Sequence, residues 1–170
     1  MKRLLYVLYV LVIAIVLIPK EKMFYTLEGV LAENQIFLSN ETLNNRFISL
    51  EIDNTQVMAD HLNVAGIKQM RFTPWIIYNR FSMSELEVSP QFRTFFPGKV
   101  DNVLVSHSIL HPLSLHIRAD GDFGSCEGSA DLIKGTVRVV FAQTPKLRNY
   151  PLLVLKLHQE KEGMVYESDF

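Results

Sequence analysis

Three histidines within ten residues are the first candidates for chemistry in this sequence. His107, His111 and His116 lie in the run SHSILHPLSLH. Zinc sites usually take their ligands from one helix face or from a tight knuckle, often with cysteine. Here Pro112 interrupts the run, and the alternation of apolar residues places His116 on the polar face of a strand. We therefore expect solvated histidines, with no metal site and no cofactor.

The segment from Asp120 to Gly128 contains two further motifs that could do chemistry. DGDFG resembles the start of a calcium loop, but Gly124 occupies a position where a ligand is expected, so a tight hairpin turn fits better. GSCEG differs from the G-x-S-x-G nucleophile elbow because its serine stands one place early. Cys126 has no neighbouring cation that would lower its thiol pKa. We expect a protein that is not an enzyme.

An aromatic stretch supplies a candidate binding surface. Phe72, Trp75 and Tyr78 lie in the run FTPWIIY, and Trp75 is the only tryptophan of the chain. A tryptophan in such a stretch fits an interface with a membrane or a partner protein, and it also fits a core anchor. We take these three residues as a candidate interface patch and leave both interpretations of Trp75 open.

These candidates must be positioned by strands, because apolar residues alternate with polar ones over much of the chain. Period two is typical of strands with one buried and one wet face. The connections are too short for crossover helices, which predicts a mainly antiparallel, curved sheet or partial sandwich over residues 35–170. The clearest alternations are Ile48-Leu50-Ile52, Leu113-Leu115-Ile117-Ala119, Val137-Val139-Phe141 and Leu153-Leu155-Leu157.

Four glycines punctuate the strand-rich region at positions that suggest bending. They are Gly121, Gly124, Gly128 and Gly135. Glycine inside a strand marks a bulge, a sharp bend or a close approach of two backbones. A sheet bent at these glycines could form a groove or could simply close over its own core, and the sequence leaves both interpretations open.

The first segment is an uninterrupted apolar run from Leu4 to Ile18. As a helix it would be about 22 Å long, against about 30 Å for a bilayer core, and the flanking lysines, arginine and aromatic residues could extend it. We predict a single-pass signal anchor over residues 1–19, with a cleaved signal peptide and a core helix as alternatives. Residues along this anchor are Leu4, Leu8, Leu11, Ile15 and Ile18.

A short amphipathic helix is predicted for residues 20–34. Met23, Phe24, Leu27, Val30 and Leu31 recur at helical spacing after Pro19. This apolar stripe could pack on the sheet of the same chain, or it could lie on a membrane or dock a partner.

Composition narrows the class of partner. The formal net charge is −1, from 17 basic and 18 acidic residues, so no basic footprint for nucleic acid exists. Cys126 is the only cysteine, which excludes an intrachain disulfide and fits an unstapled bacterial envelope protein better than a small eukaryotic secreted domain.

Three segments together resemble a known family. The predicted anchor is followed by FYTLEGVLAENQIFLSNETL, then by FTPWIIYNRFSMSELEV, and then by HPLSLHIRADGDFGSCEGSADL. This series resembles the type II secretion system N-subunit and its shorter epsilon-proteobacterial relatives, a group similar to AsmA-like envelope proteins. The resemblance implies an inner-membrane anchor, a curved periplasmic β-sheet and no active site.

The resemblance also implies a function. It indicates a non-enzymatic scaffold or accessory subunit of a trans-envelope machine, of secretion or flagellar type. The C-terminal domain would lie in the periplasm, and its partners would be the inner membrane and other proteins of the machine. The alternative is a lipid-binding or lipid-transfer protein resembling the lipopolysaccharide-export C-subunit. A lipid carrier would need an apolar groove open to solvent, whereas a scaffold would fill that face with its own side chains.

Overall fold

The computed structural model describes residues 18–75, 77–94, 96–142, 145–161 and 163–169. The anchor residues Leu4, Leu8, Leu11 and Ile15 lie outside this range, and Ile18 is the first residue that the structure describes. Within the described ranges, no helix has the length and apolar character needed to cross a membrane.

Two helices and eleven strands make up the described part of the chain, with 3₁₀ turns at Pro90–Phe92 and Pro145–Asn149. The helices are α1 (Lys20–Glu33) and α2 (Pro151–Val154). The strands are β1 (Ile36–Ser39), β2 (Thr42–Asn45), β3 (Leu50–Ala59), β4 (Leu62–Thr73), β5 (Tyr78–Val88), β6 (Lys99–Ser108), β7 (His111–Gly121), β8 (Gly124–Asp131), β9 (Thr136–Phe141), β10 (His158–Glu160) and β11 (Gly163–Asp169).

All these strands belong to one open sheet, in the order β1-β3-β4-β5-β6-β7-β8-β9-β11-β10, with β2 also paired to β3. Every strand pair is antiparallel. The prediction of a mainly antiparallel sheet is therefore confirmed. Of the two arrangements that were expected, the described residues form a single sheet and not a sandwich of two.

One face of the sheet is apolar. In β3, β4 and β5, the residues that point to this face follow one another at intervals of two, three and two positions along the chain. We call the interval of three positions a step. In β3 they are Leu50, Ile52, Thr55 and Val57. The same spacing recurs in β4 and β5, at Ala65-Ile67-Met70-Phe72 and Phe81-Met83-Leu86-Val88. These residues pair with one another across the strands, so the step of three falls at the same level in each strand.

Each step contains a pair of adjacent polar residues, where a regular alternation would have a single polar residue. Asp53-Asn54, Lys68-Gln69 and Ser84-Glu85 interrupt the alternation of β3, β4 and β5, and Asp101-Asn102 does the same in β6 between Val100 and Val103. Asn54 and Glu85 take left-handed backbone angles, with φ of 59° and 51°. Such irregularities bend and twist strands. The step ends at β7, where a register shift in β6 faces Gly121.

The chain covers its own apolar face with two elements. Phe24 of α1 is buried against Leu50, Ile52, Ile67 and Met70 at one side of the sheet. At the other side, Leu147 of the second 3₁₀ turn packs with a second cluster, Ala119, Phe123 and Cys126, and several α2 residues pack on that cluster. Both clusters lie on the same face, because Met83 of the first pairs with Val103 of the second.

Helix α1 buries less of its apolar stripe than a core helix would. Phe24 is 6% exposed, whereas Met23, Leu27 and Val30 remain largely exposed. Phe24 is therefore the one residue of the apolar stripe that is buried, while Lys20 is also buried and Glu21 accepts a hydrogen bond from Asn45 of β2. An apolar strip remains beside the helix.

The alternation of Leu153, Leu155 and Leu157 led us to expect a strand, and this expectation is wrong. Residues Pro151–Val154 form α2, and β10 begins only at His158. Pro151 suits a first helical turn, and the Val154 amide donates to the Tyr150 carbonyl at 3.0 Å. Leu153, Val154 and Leu157 pack on the second cluster, so burial at helical spacing determined the local structure.

Candidate functional site: a polar groove on the open face of the sheet

The face opposite α1 and α2 carries a polar groove across the middle strands. Its first row crosses β4 to β7 and consists of successive strand partners: Gln69, Ser84, Asn102 and Asp120. The first three of these residues belong to the steps. The next row toward the hairpins is Arg71, Ser82, Leu104 and Arg118, and Arg80 stands in the row after that. The groove has a volume of about 400 Å³.

Two of the three arginines in the groove are paired at its margins. Arg71 Nη2 lies 2.9 Å from Glu51 Oε1, and Arg118 Nη2 lies 2.8 Å from Glu127 Oε1. Glu51 also accepts from Arg46, at 3.0 Å. The hydrogen bond from Arg46, helped by the charge of Arg71, holds the pKa of the Glu51 carboxyl below its usual value.

Arg80 differs from both neighbours because no carboxylate of the described residues lies within ion-pair distance of it. Its strand partners are Thr73 and Ser106, which carry no charge. Asp120 is the acidic residue in the groove lining, in the first row. The hairpin side of the groove therefore presents a guanidinium that can bind an anionic group, and guanidinium is the donor best matched to a carboxylate.

The three clustered histidines do not converge on one point. His116 pairs with Ser106 and lies on the groove face, whereas His107 pairs with Leu115 and lies on the opposite face. His107 Nε2 is 2.9 Å from the Pro112 carbonyl, and His111 begins β7 at the sheet end.

A different cluster, which the sequence analysis missed, brings together His158, Glu160 and Glu167, with candidate ligand atoms within 4.8 Å of one another. Arg138 already binds both carboxylates, with Nη2 at 2.5 Å from Glu160 and Nε at 2.9 Å from Glu167. The guanidinium of Arg138 thus supplies the positive charge that a metal ion would otherwise supply to these carboxylates. Register alone creates it, since β9 and β11 are joined by a long connection.

Cys126 is buried on the apolar face rather than presented to a substrate. Its side chain is 7% exposed and belongs to the second core cluster. Burial raises the pKa of the Cys126 thiol to about 11, so the group is protonated at neutral pH and is a poor nucleophile. The turn before it is a hairpin in which Gly121 pairs with Gly124.

The candidate patch of Phe72, Trp75 and Tyr78 is not a single surface. Phe72 is partly buried and packs on the cluster around Phe24. Trp75 lies in the β4–β5 hairpin and is 42% exposed, so it is not a core anchor. Tyr78 is exposed and lies near His116 and Arg118 on the groove face.

The four glycines serve two different purposes. Gly121 and Gly128 stand where a neighbouring backbone passes so closely that a Cβ atom would collide with it. Gly124 and Gly135 have φ of 100° and 64° and lie at the hairpins that flank β8. Only Gly121 meets the line of steps, where it faces the register shift of β6.

Comparison of the chain with protein-family models, with curated proteins and with solved structures gives no match.

Proposed function

We propose that this chain is a non-enzymatic scaffold of the bacterial cell envelope, anchored in the inner membrane by residues 1–19, with its β-domain in the periplasm. The groove around Arg80 would dock an acidic segment of another protein of a trans-envelope machine, of secretion or flagellar type. The observation that carries this proposal is the asymmetry of the sheet. The chain packs its own helices against the two sides of the apolar face and leaves a charged groove open on the other face.

The groove is a better docking site than the edges of the sheet. Strand addition needs an accessible edge of useful length. Here the edge strands β1, β2 and β10 have four, four and three residues. Very short edge strands are a common way to prevent pairing with another chain. A partner therefore has more contact surface, and a charge to pair with, on the open face.

Site-specific photo-crosslinking in cells tests the proposal. A crosslinking residue at Ser82, in the groove, should give an adduct with an envelope protein whose crosslinked peptide is acidic. The same residue at the exposed Thr94, in the β5–β6 connection, serves as the control and should give no such adduct.

A charge-reversal variant distinguishes a partner that binds through Arg80 from a protein that is merely close to the groove. Arg80→Glu should abolish the Ser82 adduct, because a carboxylate would repel the acidic segment. Lys161→Glu alters the net charge equally at an exposed turn and should leave the adduct unchanged. A Ser82 adduct that survives Arg80→Glu, or that contains no protein, would refute docking through this groove.

A lipid-binding role is the second candidate, and one observation favours it. An apolar groove of about 290 Å³ lies beside α1, lined by Met23, Phe24, Leu27, Ile52, Phe72 and Phe81. Ligand pockets span about 300–1,000 Å³, so this groove lies just below the lower limit of that range. If it holds acyl chains, the purified full chain should carry stoichiometric lipid by mass spectrometry, and Leu27→Phe should reduce the lipid content by filling the groove.

A further inference from the structure

Four hairpins meet at one end of the sheet, and each carries exposed large apolar side chains. The antiparallel register places the β2–β3, β4–β5, β6–β7 and β8–β9 connections together, since Leu50 pairs with Phe72, Tyr78 with Ser108, and Ser114 with Asp131. The exposed residues at these tips are Phe47 and Ile48, Trp75 and Ile77, Ile109 and Leu110, and Leu132 and Ile133. We call this surface the tip end.

Neighbouring tips are joined into one surface. The Ile109 amide donates to the Ile77 carbonyl at 3.0 Å, and the Leu132 amide donates to the Leu113 carbonyl at 2.8 Å. These bonds hold the tips of three hairpins at a common level. The exposed apolar side chains of these three hairpins therefore lie at the same end of the sheet, and large exposed apolar patches are rare on monomeric soluble proteins.

Polar side chains satisfy the backbone donors of the same tips. The Trp75 amide donates to Asn79 Oδ1 at 3.1 Å, and the Leu110 amide donates to Ser108 Oγ at 3.3 Å. In the β8–β9 tip, Asp131 Oδ1 accepts from the amides of Ile133 and Lys134, each at 3.0 Å. An unpaired backbone donor is costly in an apolar medium, so this capping suits tips that leave water.

The chain enters the described structure at this same end. Helix α1 begins at Lys20, whose Nζ lies 3.5 Å from the Phe47 carbonyl, and Asn45 Nδ2 lies 3.0 Å from Glu21 Oε1. Residues 1–17, which lie outside the described ranges, contain most of the apolar run that ends at Ile18. The predicted anchor therefore joins the sheet beside the tips.

The opposite end of the sheet differs. Its connections are the turns at Asp60-His61 and Asp122-Phe123, the longer segment between β5 and β6, the segment between β9 and β10, and the turn between β10 and β11. Phe123 is buried, and the exposed large apolar residues in these connections and their margins are Leu62, Phe96, Leu152 and Leu155. The connections at the tip end thus carry more exposed large apolar residues than those at the opposite end, and α1 begins at the tip end.

We propose that the tip end rests on the membrane surface, with the apolar side chains of the four hairpins in the headgroup and upper acyl region. This inference rests on the proposed membrane anchoring and goes beyond it, because a flexible tether alone would leave the tips in water. Exposed cationic side chains lie at the same end: Lys22, Arg46, which pairs with Glu51 at 3.0 Å, and Lys134, which pairs with Asp131 at 3.6 Å. Cationic side chains beside an apolar surface suit an anionic lipid surface.

The single tryptophan makes a direct test possible. The full chain would be reconstituted in vesicles of phosphatidylethanolamine and phosphatidylglycerol that contain phospholipids brominated either near the headgroup or near the chain end. Trp75 emission should be quenched, and more strongly by the shallow bromines, because interfacial insertion reaches only about 5–10 Å. In the double variant Trp75→Phe/Phe96→Trp, the reporter lies beyond the far end of β5, about 36 Å away by strand rise, and should not be quenched.

A tip variant supplies a second measurement on a folded protein. Leu110 is 79% exposed, so Leu110→Asp should leave the circular dichroism spectrum unchanged while reducing quenching of Trp75 severalfold. Leu62→Asp makes the same change at the opposite end and should not alter quenching. Quenching of Trp75 that is absent, or equal to that of the Phe96→Trp reporter, would overturn the inference. The tip end would then face solvent or a protein partner.

Alkaline extraction distinguishes this inference from the anchor on which it rests. Retention in the membrane without quenching of Trp75 would refute the membrane-apposed tips and leave the anchored scaffold intact. Extraction by alkali together with quenching of Trp75 would refute the anchor and support a peripheral attachment through the tips.

Discussion

The close approach of β6 and β7 at Gly121 gives a prediction whose magnitude follows from the structure. A Cβ atom at this position would lie 2.5 Å from the Lys99 carbonyl oxygen and 2.9 Å from Val100 Cα. Both atoms are backbone, so the collision cannot be relieved by rotating a side chain. Gly121→Ala must push β6 away from β7 at the register shift, and overpacking of this kind costs about 1–3 kcal/mol.

Urea denaturation of the full chain in detergent, followed by far-UV circular dichroism, measures this cost. With a slope of about 2 kcal/mol per M, a loss of about 2 kcal/mol lowers the midpoint by about 1 M. Gly66→Ala is the matched control, because Gly66 also lies in a strand but no atom would lie within 4 Å of its Cβ. If both variants unfold at the wild-type midpoint, β6 does not pass close to Gly121, and the argument for the steps fails with it.

Three further predictions concern the covered face. Leu147→Ala should cost about 2–5 kcal/mol because Leu147 is 3% exposed, whereas Leu155→Ala, at an 80% exposed site, should change the urea midpoint little. Thr55→Val should raise the unfolding free energy by about 1 kcal/mol, because Thr55 Oγ1 is buried without a hydrogen-bond partner in the described chain and valine has the same shape. Cys126 should resist thiol reagents at neutral pH in the folded protein. The pKa of this thiol is about 11 in the folded protein and lower in the unfolded chain. Its contribution to the free energy of unfolding should therefore be complete at neutral pH and should be lost as the pH rises from the unfolded pKa toward 11. Urea denaturation at a series of pH values measures this loss.

The alternation of apolar residues was enough to predict the kind of sheet. Leu115, Ile117 and Ala119 alternate with polar residues and do lie in an antiparallel strand, β7. The same pattern failed at Leu153 and Leu155, because period two and a single helical turn cannot be distinguished over five residues. There the packing of Leu153 beside Leu147 decided the structure.

The sequence contains the steps of β3 to β6, but it does not show that they form one feature. In β4 and β5, two apolar pairs out of phase are separated by two polar residues, as in AGIKQMRF and FSMSELEV; β3 and β6 repeat the pattern with Thr55 or with Val100 alone in place of one pair or part of it. Within a single strand, this change of phase only weakens the alternation from which a strand is predicted. Its meaning emerges only when register aligns Asp53 with Gln69 and Gln69 with Ser84, and register depends on contacts between distant segments.

The groove could not be predicted for the same reason. Arg71 and Arg80 lie on the two strands of one hairpin, Arg118 lies far along the chain, and each is an ordinary residue on the wet face of a strand. They line one groove because β4, β5, β6 and β7 are neighbours in the sheet. Similarly, Trp75 and Leu110 belong to separate hairpins, and antiparallel pairing brings them to one end.

The two proposals constrain each other through the geometry of β5. The groove extends from Ser84 toward Arg80, and the tip end begins just beyond Tyr78. Six residues of strand separate Ser84 from Tyr78, which is about 20 Å by strand rise. If the tips rest on the membrane, Arg80 lies closer to the bilayer surface than that distance. The docked acidic segment must then belong to a partner that is itself close to the membrane, such as the stretch that follows a transmembrane helix. A Ser82 adduct that maps to a distant soluble domain of the partner would be incompatible with the two proposals taken together.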